Sequence, residues 1–297
     1  MIASKKHFDV LVAIENSADR LSQRQLAKSL NISAGTVNKA IKELEADGLI
    51  ENNCITEKGL DALEPYRVKR AVFIAAGFGS RLVPITLNTP KPLVRVNGVR
   101  IIDTLIDACL AADINEIYIV RGYLAEQFDQ LLYKYPMIKF LENPLYNEAN
   151  NISSALIAKD LLQNAYVFEA DLLLYNQSII KKYHYTSDVF GIWKERTDDW
   201  CFEADNYNFV TEEKVGGLNC YQMVGIYYIN SDDGKRLSRH IEEAYNAPGG
   251  KEKYWETVIN QVHKGEYRIF VRSIKDEDIV EIDTFNELKA IDKTYNV

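Results

Sequence analysis

Apolar and polar positions follow two different patterns along the chain. Up to residue 66, apolar residues recur at helical spacing in three segments, with stripes that begin at Phe8, Leu26 and Val37. Two short apolar pairs follow, which predicts three helices and a small hairpin, or wing. Beyond this point, short apolar runs alternate with helical patterns, which predicts a mostly parallel sheet with helices on both faces. We therefore expect an α/β chain with two domains, residues 1–66 and 67–297.

Local signals set the ends of two helices in the first domain. Ser22 is followed three residues later by Gln25, which is the spacing of a capping box, so we expect the second helix to begin there. Gly48 follows the third apolar stripe, and we expect it to end the third helix.

The second domain is predicted from its alternating segments. Ligands of such sheets bind outside the carboxyl ends of the strands. The predicted strands are 71–76, 116–121, 138–142 and 166–170, and the predicted helices are 101–112, 124–134 and 152–163.

A glycine-bearing turn, with the sequence AAGFGSRL, follows the first of these strands. Successive backbone N–H groups in such a turn form a concavity for anions, and glycine lets a phosphate approach the backbone. Arg81 and Lys91 add positive charge. Leu82 stands where a dinucleotide fingerprint needs its third glycine, and the P-loop pattern is absent. We predict that a polyphosphate binds at Ala75, Ala76, Gly77, Phe78, Gly79, Ser80 and Arg81, the alternative being an ordinary strand-to-loop turn.

Two aspartates follow apolar runs that we expect to be strands. Asp171 ends the segment YVFEAD, and Asp283 ends IVEID. Two carboxylates at strand ends on one sheet edge can hold Mg²⁺ together with phosphate oxygens. Taken singly, each aspartate is equally explained as a helix N-cap. Beside the phosphate turn, we predict that the pair binds Mg²⁺.

All three tryptophans, Trp193, Trp200 and Trp255, lie in the second half of the chain, with carboxylates nearby in sequence. Aromatic rings with carboxylates make a box for a quaternary ammonium group. Packing in an aromatic core is the alternative, and composition alone favours it.

Composition excludes several classes of protein. The net charge is −8, which does not suggest a general binder of nucleic acid or of membrane surfaces. No apolar run approaches the roughly 18 residues of a membrane span, and we expect a cytoplasmic protein that does not contact membranes. The four cysteines are widely spaced, so we expect them to be small apolar residues, not zinc ligands or disulfides.

The segment LSQRQLAKSLNISAGTVNKAIKELEADGLIE resembles the winged helix-turn-helix of bacterial regulators. Its third helix offers Thr36, Asn38, Lys39 and Lys42 for contacts to DNA. Residues 1–66 carry 8 Lys+Arg against 10 Asp+Glu, a net charge of −2, which opposes phosphate binding. Two roles stay open: DNA binding through residues 22–58, or a structural, dimerising or regulatory module, which would include a homodimer.

The pattern A-A-G-x-G-S-R, then P-x-T, then T-P-K-P resembles the signature of nucleotidyltransferases that join an NTP to a phosphorylated small molecule. Residues 70–297 resemble the LicC-type CTP:phosphocholine cytidylyltransferases of bacteria. The segments that carry this resemblance are AAGFGSRLVPITLNTPKPL, VRGYLAEQF, NEANNISSAL, VFEADLLL, TDDWCFEAD, KEKYWETVIN and VEIDTFNEL.

This resemblance implies a Rossmann-like nucleotidyltransferase domain and a role for individual residues. Asp171 and Asp283 match metal-binding aspartates, and Arg81 and Lys91 match catalytic phosphate ligands. The positions that match the nucleotide site extend to Gly122, Asn151 and Ser153, and those that match the choline box are Trp200, Tyr254 and Glu281.

The activity that the resemblance implies is transfer of a cytidylyl group from CTP to phosphocholine, which releases pyrophosphate. A second hypothesis keeps this chemistry with another amino-alcohol phosphate or phosphonate, such as 2-aminoethylphosphonate. A third is a regulator that senses choline or a nucleotide without turnover, although the intact set of Lys91, Asp171 and Asp283 argues against it. Asn150 and Asn151 stand where sugar-nucleotide relatives carry a G-T motif, which argues against a sugar phosphate.

Overall fold

The computed structural model describes residues 2–17 and 20–296. The chain forms two compact units, Met1–Arg67 and Val68–Val297. Across the described ranges, no helix combines the length and the apolar character that crossing a membrane requires.

The first unit has the predicted three helices and wing, and one further helix. Ser22 and Gln25 form the predicted capping box, with Gln25 N donating to Ser22 Oγ at 3.3 Å and Ser22 N donating to Gln25 Oε1 at 2.8 Å. Gly48 follows the third helix with φ +70°, as the helix end requires. The elements are α1 Lys5–Glu15, α2 Gln23–Ser29, α3 Ala34–Ala46, β1 Ile50–Glu51, β2 Cys54–Ile55 and α4 Glu57–Leu63.

Sequence analysis missed α4. This helix begins after Thr56, whose Oγ1 accepts a hydrogen bond from Gly59 N at 3.1 Å. It is only seven residues long, and the glycine in its first turn has low helix propensity. Gly59 is needed because a Cβ there would lie 2.1 Å from Leu49 O, so only glycine lets the helix approach the wing this closely.

The second unit is built on a seven-stranded sheet with strand order β12-β10-β11-β8-β3-β6-β7. The neighbours β8–β3, β3–β6, β6–β7 and β10–β12 are parallel, and β11 is antiparallel to both of its neighbours. The predicted α/β fold with a mostly parallel sheet is therefore confirmed. Its strands are β3 Arg70–Ile74, β4 Arg95–Val96, β5 Val99–Arg100, β6 Glu116–Arg121, β7 Lys139–Glu142, β8 Ala165–Glu169, β9 Leu172–Leu174, β10 Asp188–Ala204, β11 Val210–Ile229, β12 Phe270–Ile274 and β13 Ile279–Glu281.

Apolar helix faces cover the sheet. The helix predicted at residues 101–112 has an apolar face that is fully buried. This face consists of Ile101, Ile102, Leu105, Ile106 and Cys109. The helices of this unit are α5 Ile101–Ala111, α6 Ile152–Ala158, α7 Ser231–Asn246, α8 Trp255–Thr257 and α9 Phe285–Ile291.

Two segments predicted as helices differ from a regular α-helix. Residues 125–133 form a 3₁₀ helix that begins after Leu124, a residue in the left-handed conformation with φ +47°. Gln127 N donates to Leu124 O at 3.0 Å, which is the tighter i to i+3 bond. α6 likewise ends at Ala158 and continues as a 3₁₀ turn. A periodic apolar pattern does not distinguish these two helix types over so few residues.

The expectation that Asp171 and Asp283 follow strands of one sheet edge is wrong for Asp283. Asp171 follows β8 of the main sheet, whereas Asp283 follows β13, which pairs with β9 in a separate antiparallel sheet of two strands. The aspartates still come together because β9 starts directly after Asp171, and Ile282 N donates to Asp171 O at 3.3 Å. A short apolar run predicts a strand but not its partner.

We expect Gly59→Ala to destabilise the first unit by about 1–3 kcal/mol, because the new Cβ overlaps the Leu49 carbonyl. Hydrogen exchange of peptides from α1 to α4 measures this free energy. Gly35→Ala is the matched control, since its Cβ has only Ser33 Oγ nearby, at 3.8 Å, and we expect it to stabilise α3 by roughly 0.5–1 kcal/mol. Equal exchange rates in Gly59→Ala and the wild type would contradict the close approach.

Candidate active site

A cavity of about 320 Å³ opens at the carboxyl ends of β3 and β8. Its walls are the turn after β3, the segment at Lys91, the start of α6, the end of β8 and the end of β13. The residues predicted from the sequence that line it are Ala75, Gly77, Gly79, Ser80, Arg81, Lys91, Asn151, Asp171, Tyr254, Glu281 and Asp283.

Lys91 is the centre of the charged groups. Its side chain is buried, and Nζ donates to Asp171 Oδ2 at 2.7 Å and to Asp283 Oδ1 at 2.9 Å. Burial alone would lower the pKa of Lys91, but the two carboxylates outweigh this effect and raise it. Arg81 Nη2 also donates to Asp283 Oδ1, at 2.7 Å, from an exposed position. These three ion pairs bring the cationic groups of Lys91 and Arg81 together with the carboxylates of Asp171 and Asp283.

The turn after β3 depends on Gly79. Its φ is +66°, and a Cβ there would lie 3.1 Å from both Lys91 Cβ and Thr86 Cγ2. Thr86 Oγ1 donates to Gly79 O at 2.9 Å and fixes the turn. The backbone of the turn therefore lies directly against the lysine, which keeps the predicted phosphate-binding groups and the positive charge together.

The carboxylates fit a hard divalent cation. Oδ1 of Asp171 is buried, and it has no hydrogen-bond partner among the residues that the structure describes. One carboxylate oxygen each from Glu169, Asp171 and Glu281 lie within 4.8 Å of one another. Carboxylate oxygens are the ligands that Mg²⁺ prefers in proteins. The donor set is thus compatible with the predicted magnesium, and it contains Asp171 of the predicted pair together with Glu169 and Glu281, whereas Asp283 is not part of this cluster.

Three glutamates with raised pKa values form a second feature: Glu169 and Glu281 are half-buried and line the cavity, and Glu256 is buried behind it. Burial, with repulsion from Glu256 and Asp171, raises the pKa of Glu169 well above its usual range. Burial likewise raises the pKa of Glu281 to about 9 and that of Glu256 to about 7. From the sequence, Glu256 is only one of several carboxylates near the tryptophans, and Glu169 has no predicted role. The available signal was a glutamate within an apolar strand, in the segment VFEAD.

Asn151 connects these groups. Its Oδ1 accepts a hydrogen bond from Trp255 N at 2.9 Å, and its Nδ2 donates to Glu169 Oε1 at 3.3 Å and to Glu256 Oε2 at 3.4 Å. The side chain that was predicted to contact the nucleotide therefore has protein partners on both ends of its amide.

Four residues that were predicted to contact the nucleotide do not line the cavity. Ser153 is buried, and its hydroxyl donates to Asn150 O at 2.8 Å. A Cβ at Gly122 would lie 2.7 Å from Tyr146 Cβ, so this glycine serves packing. Phe78 is partly exposed and packs on Tyr123, and Ala76 is buried.

The tryptophans separate into three environments. Trp200 and Tyr254 make a T-shaped pair with ring centroids 6.2 Å apart, and Tyr254 lines the cavity. Trp193 is exposed beside Tyr221, and Trp255 is buried against Tyr227. The β10–β11 pairing shifts register between Thr197 and Trp200, and such a bulge redirects the side chains that follow.

Comparison with protein families gives two matches. Residues 4–51 match the winged helix-turn-helix DNA-binding family, and residues 70–191 match the nucleotidyl transferase family.

Two relatives cover most of the second unit. The chain is 38% identical over 228 residues to a 2-aminoethylphosphonate cytidylyltransferase of Lancefieldella rimae, which covers 76% of this chain and 92% of the relative. It is 30% identical over 229 residues to a choline-phosphate cytidylyltransferase of Streptococcus pneumoniae, which covers 75% of this chain and 97% of the relative.

Solved structures have the same fold. The CTP:phosphocholine cytidylyltransferase of Streptococcus pneumoniae aligns with a TM-score of 0.71 and 29% identity, over 77% of this chain and 99% of that one. The inositol-1-phosphate CTP transferase from T. maritima aligns with a TM-score of 0.60 and 16% identity, over 78% of this chain and 95% of that one, which shows likeness of fold alone.

The buried Glu256 makes stability depend on pH. Its folded pKa of about 7 lies above the ordinary value of 4.5 for a glutamate, so the folded state keeps a proton that the unfolded state loses, and stability falls as pH rises between these values. The wild type therefore loses stability from pH 4.5 to pH 8, whereas Glu256→Gln does not. We expect the free energy of unfolding of Glu256→Gln, relative to that of the wild type, to rise by on the order of 1–3 kcal/mol over this range. Urea unfolding at both pH values measures the difference.

Glu195→Gln, at an exposed glutamate, controls for the loss of one negative charge. A stability difference between Glu256→Gln and the wild type that stays constant with pH would mean that Glu256 is ionised in the folded protein.

Proposed function

Because this chain belongs to the nucleotidyl transferase family and is a cytidylyltransferase, we propose that it transfers the cytidylyl group of CTP to a small phosphate or phosphonate with a cationic amine. Pyrophosphate is the second product. The observation that carries this proposal is the position of Lys91, whose Nζ lies between Asp171 and Asp283 and whose side-chain stem lies against the glycine turn. With these carboxylates bound to a divalent cation, Lys91 and Arg81 would be left to neutralise the charge of a triphosphate.

The chemistry is an in-line displacement. An oxygen of the acceptor's phosphate or phosphonate forms a bond to the α-phosphorus of CTP, and the bond from this phosphorus to the bridging oxygen of the β-phosphate breaks. The electron pair leaves with pyrophosphate. The attacking oxygen is already anionic, so no general base is required. Lys91 and Arg81 stabilise the charge that shifts to the leaving group, and the backbone of the turn orients the phosphates.

Asp171 and Asp283, the two carboxylates that Lys91 contacts, are the residues that we assign to Mg²⁺. When bound there, the cation supplies positive charge to phosphate oxygens. This role requires that Lys91 release at least one carboxylate, and the freed ammonium is then available to the phosphates of the nucleotide.

The cationic end of the acceptor is assigned to the wall made by Trp200, Tyr254 and Glu281. The T-shaped ring pair presents an aromatic surface, and a cation bound beside Glu281 would lower the raised pKa of this carboxyl and stabilise its ionised form. Both phosphocholine and 2-aminoethylphosphonate carry the cation that this wall suits.

We rank 2-aminoethylphosphonate first and phosphocholine second, the reverse of the order expected from the sequence. A primary ammonium has three N–H donors, for which the carboxyl oxygens of Glu169 and Glu281 are acceptors in either protonation state, whereas a quaternary ammonium has none. The higher identity to the 2-aminoethylphosphonate relative supports the same order. Pyrophosphate release from CTP with each acceptor tests it, and faster turnover of phosphocholine would reverse the ranking.

The match of residues 4–51 to a DNA-binding family supports DNA binding as one of the two roles predicted for the first unit. Lys39 lies on α3 with an exposed side chain, although it also pairs with Glu43 at 3.8 Å. The net charge of −2 over residues 1–66 supports the alternative, a structural or dimerising module.

We expect Asp171→Asn and Asp283→Asn each to lower kcat by on the order of 100-fold or more, because each removes a charged group that acts in the transition state. Pyrophosphate release at saturating CTP, acceptor and Mg²⁺ measures the effect. Asp232→Asn, at an exposed position on α7, is the control. Normal turnover in both site variants would remove the metal assignment.

We expect Trp200→Ala to raise the KM for the acceptor by about tenfold and to change the KM for CTP little, because a cation–π contact contributes roughly 1–2 kcal/mol. Trp193→Ala is the matched control, since Trp193 packs on Tyr221 and not on Tyr254. An unchanged acceptor KM in Trp200→Ala would exclude Trp200 from the binding wall.

A further inference from the structure

Asn151 links three parts of the cavity wall through one side-chain amide. It stands at the start of α6, and its partners are the backbone N–H of Trp255, the carboxylate of Glu169 at the end of β8, and the buried carboxylate of Glu256. The amide nitrogen has two hydrogens, and both are used by the glutamates.

The network also determines which way the amide faces. If its oxygen and nitrogen were exchanged, the oxygen would face two carboxylate oxygens and the NH₂ group would face the Trp255 N–H. The second contact would set a donor against a donor, so the bond from Trp255 N selects the observed orientation. An Asn151 held in this way has no N–H left for the base or the ribose of the nucleotide.

Asn151 contacts the segment that carries Tyr254, one member of the proposed acceptor wall of Trp200, Tyr254 and Glu281. Its bond to Trp255 N fixes the backbone next to Tyr254, the ring that pairs with Trp200. The neighbouring Asn150 secures the same loop, with its N donating to Lys251 O at 2.7 Å and its Nδ2 donating to Glu252 O at 3.2 Å.

Glu169 is confined from the other side by Gly225. A Cβ on Gly225 would lie 2.6 Å from Glu169 Cγ, so the glutamate side chain packs against bare backbone there. Asn151 and Gly225 together leave the Glu169 carboxylate one position, at the wall that Tyr254 also lines.

We propose that Asn151 is a positioning residue for acceptor selectivity, and that it sets the spacing between the Glu169 carboxylate and the Tyr254 ring so that the wall accepts a primary ammonium in preference to a quaternary one. This proposal rests on the proposed function. It replaces the nucleotide contact that the sequence predicts for Asn151 with a role exerted through its neighbours.

Two variants separate the parts of the network. Asn151→Ala removes all three hydrogen bonds. Asn151→Asp keeps an oxygen for Trp255 N but removes the donor to the glutamates. Asn230→Ala is the control for lost stability, because Asn230 caps α7 through a bond from Asp233 N at 2.9 Å and does not line the cavity.

Kinetics are measured on the full chain with CTP, Mg²⁺ and two acceptors, 2-aminoethylphosphonate and its N-trimethyl analogue. In Asn151→Ala we expect the KM for 2-aminoethylphosphonate to rise about tenfold or more, with the KM for CTP changed less than about threefold. We expect the preference in kcat/KM for the primary amine to fall by a similar factor. Asn151→Asp should lose this preference as fully, and Asn230→Ala should keep it.

The failures are distinguishable. A wild type that releases no pyrophosphate from CTP with either acceptor overturns the proposed function, and this inference with it. A wild type that turns over while Asn151→Ala keeps its acceptor KM and its preference overturns the positioning role alone. An equal rise in the KM for CTP would restore the nucleotide contact, and an Asn151→Asp variant that behaves as the wild type would remove the link to Glu169.

Discussion

The second unit depends on a buried ammonium held between two carboxylates. Removing an ammonium from water is unfavourable unless opposite charge and hydrogen bonds replace its hydration, and Lys91 meets this requirement with Asp171 and Asp283. The three residues come from three distant segments of the chain. Their pairing therefore joins the turn after β3, the end of β8 and the end of β13 at one point. The glycine turn lies against the same lysine, so the position of Lys91 determines where the phosphate-binding backbone is.

The parts of this arrangement that have local signals were predictable from the sequence. The apolar face of α5, the capping box at Ser22 and the turn around Gly79 follow from residue spacing over fewer than about a dozen positions. The partner of β13 does not, since strand pairing joins residues more than a hundred positions apart. The prediction that Asp283 lies near Asp171 is right, but the predicted cause is wrong. The two residues meet because β13 pairs with β9 in a separate small sheet, not because both follow strands of the main sheet.

The acceptor wall shows a different limit of sequence analysis. Glu169 interrupts an apolar strand, which is a signal in the sequence, but its proximity to Glu256 and their shared contact with Asn151 are evident only in the structure. Asn151 stands where sugar-nucleotide relatives carry a G-T motif, and the sequence predicts that it contacts the nucleotide. The hydrogen bonds of Asn151 join α6, β8 and α8, which are far apart in the sequence, so the sequence alone does not show them. Residues that act through other residues leave little trace in composition or spacing.

The contact between Glu169 and Gly225 has a consequence for how such enzymes diverge. Gly225 lies on β11, one step beyond the pair of Ile226 with Phe168, so it faces Glu169 across the two strands. Any larger residue at 225 removes the room for a glutamate at 169, and a smaller residue at 169 leaves a void beside the glycine. A substitution at either Gly225 or Glu169 alone therefore disturbs the packing between them. The effects of substitutions at the two positions therefore depend on each other, so a different side chain at 169 favours a compensating change at 225.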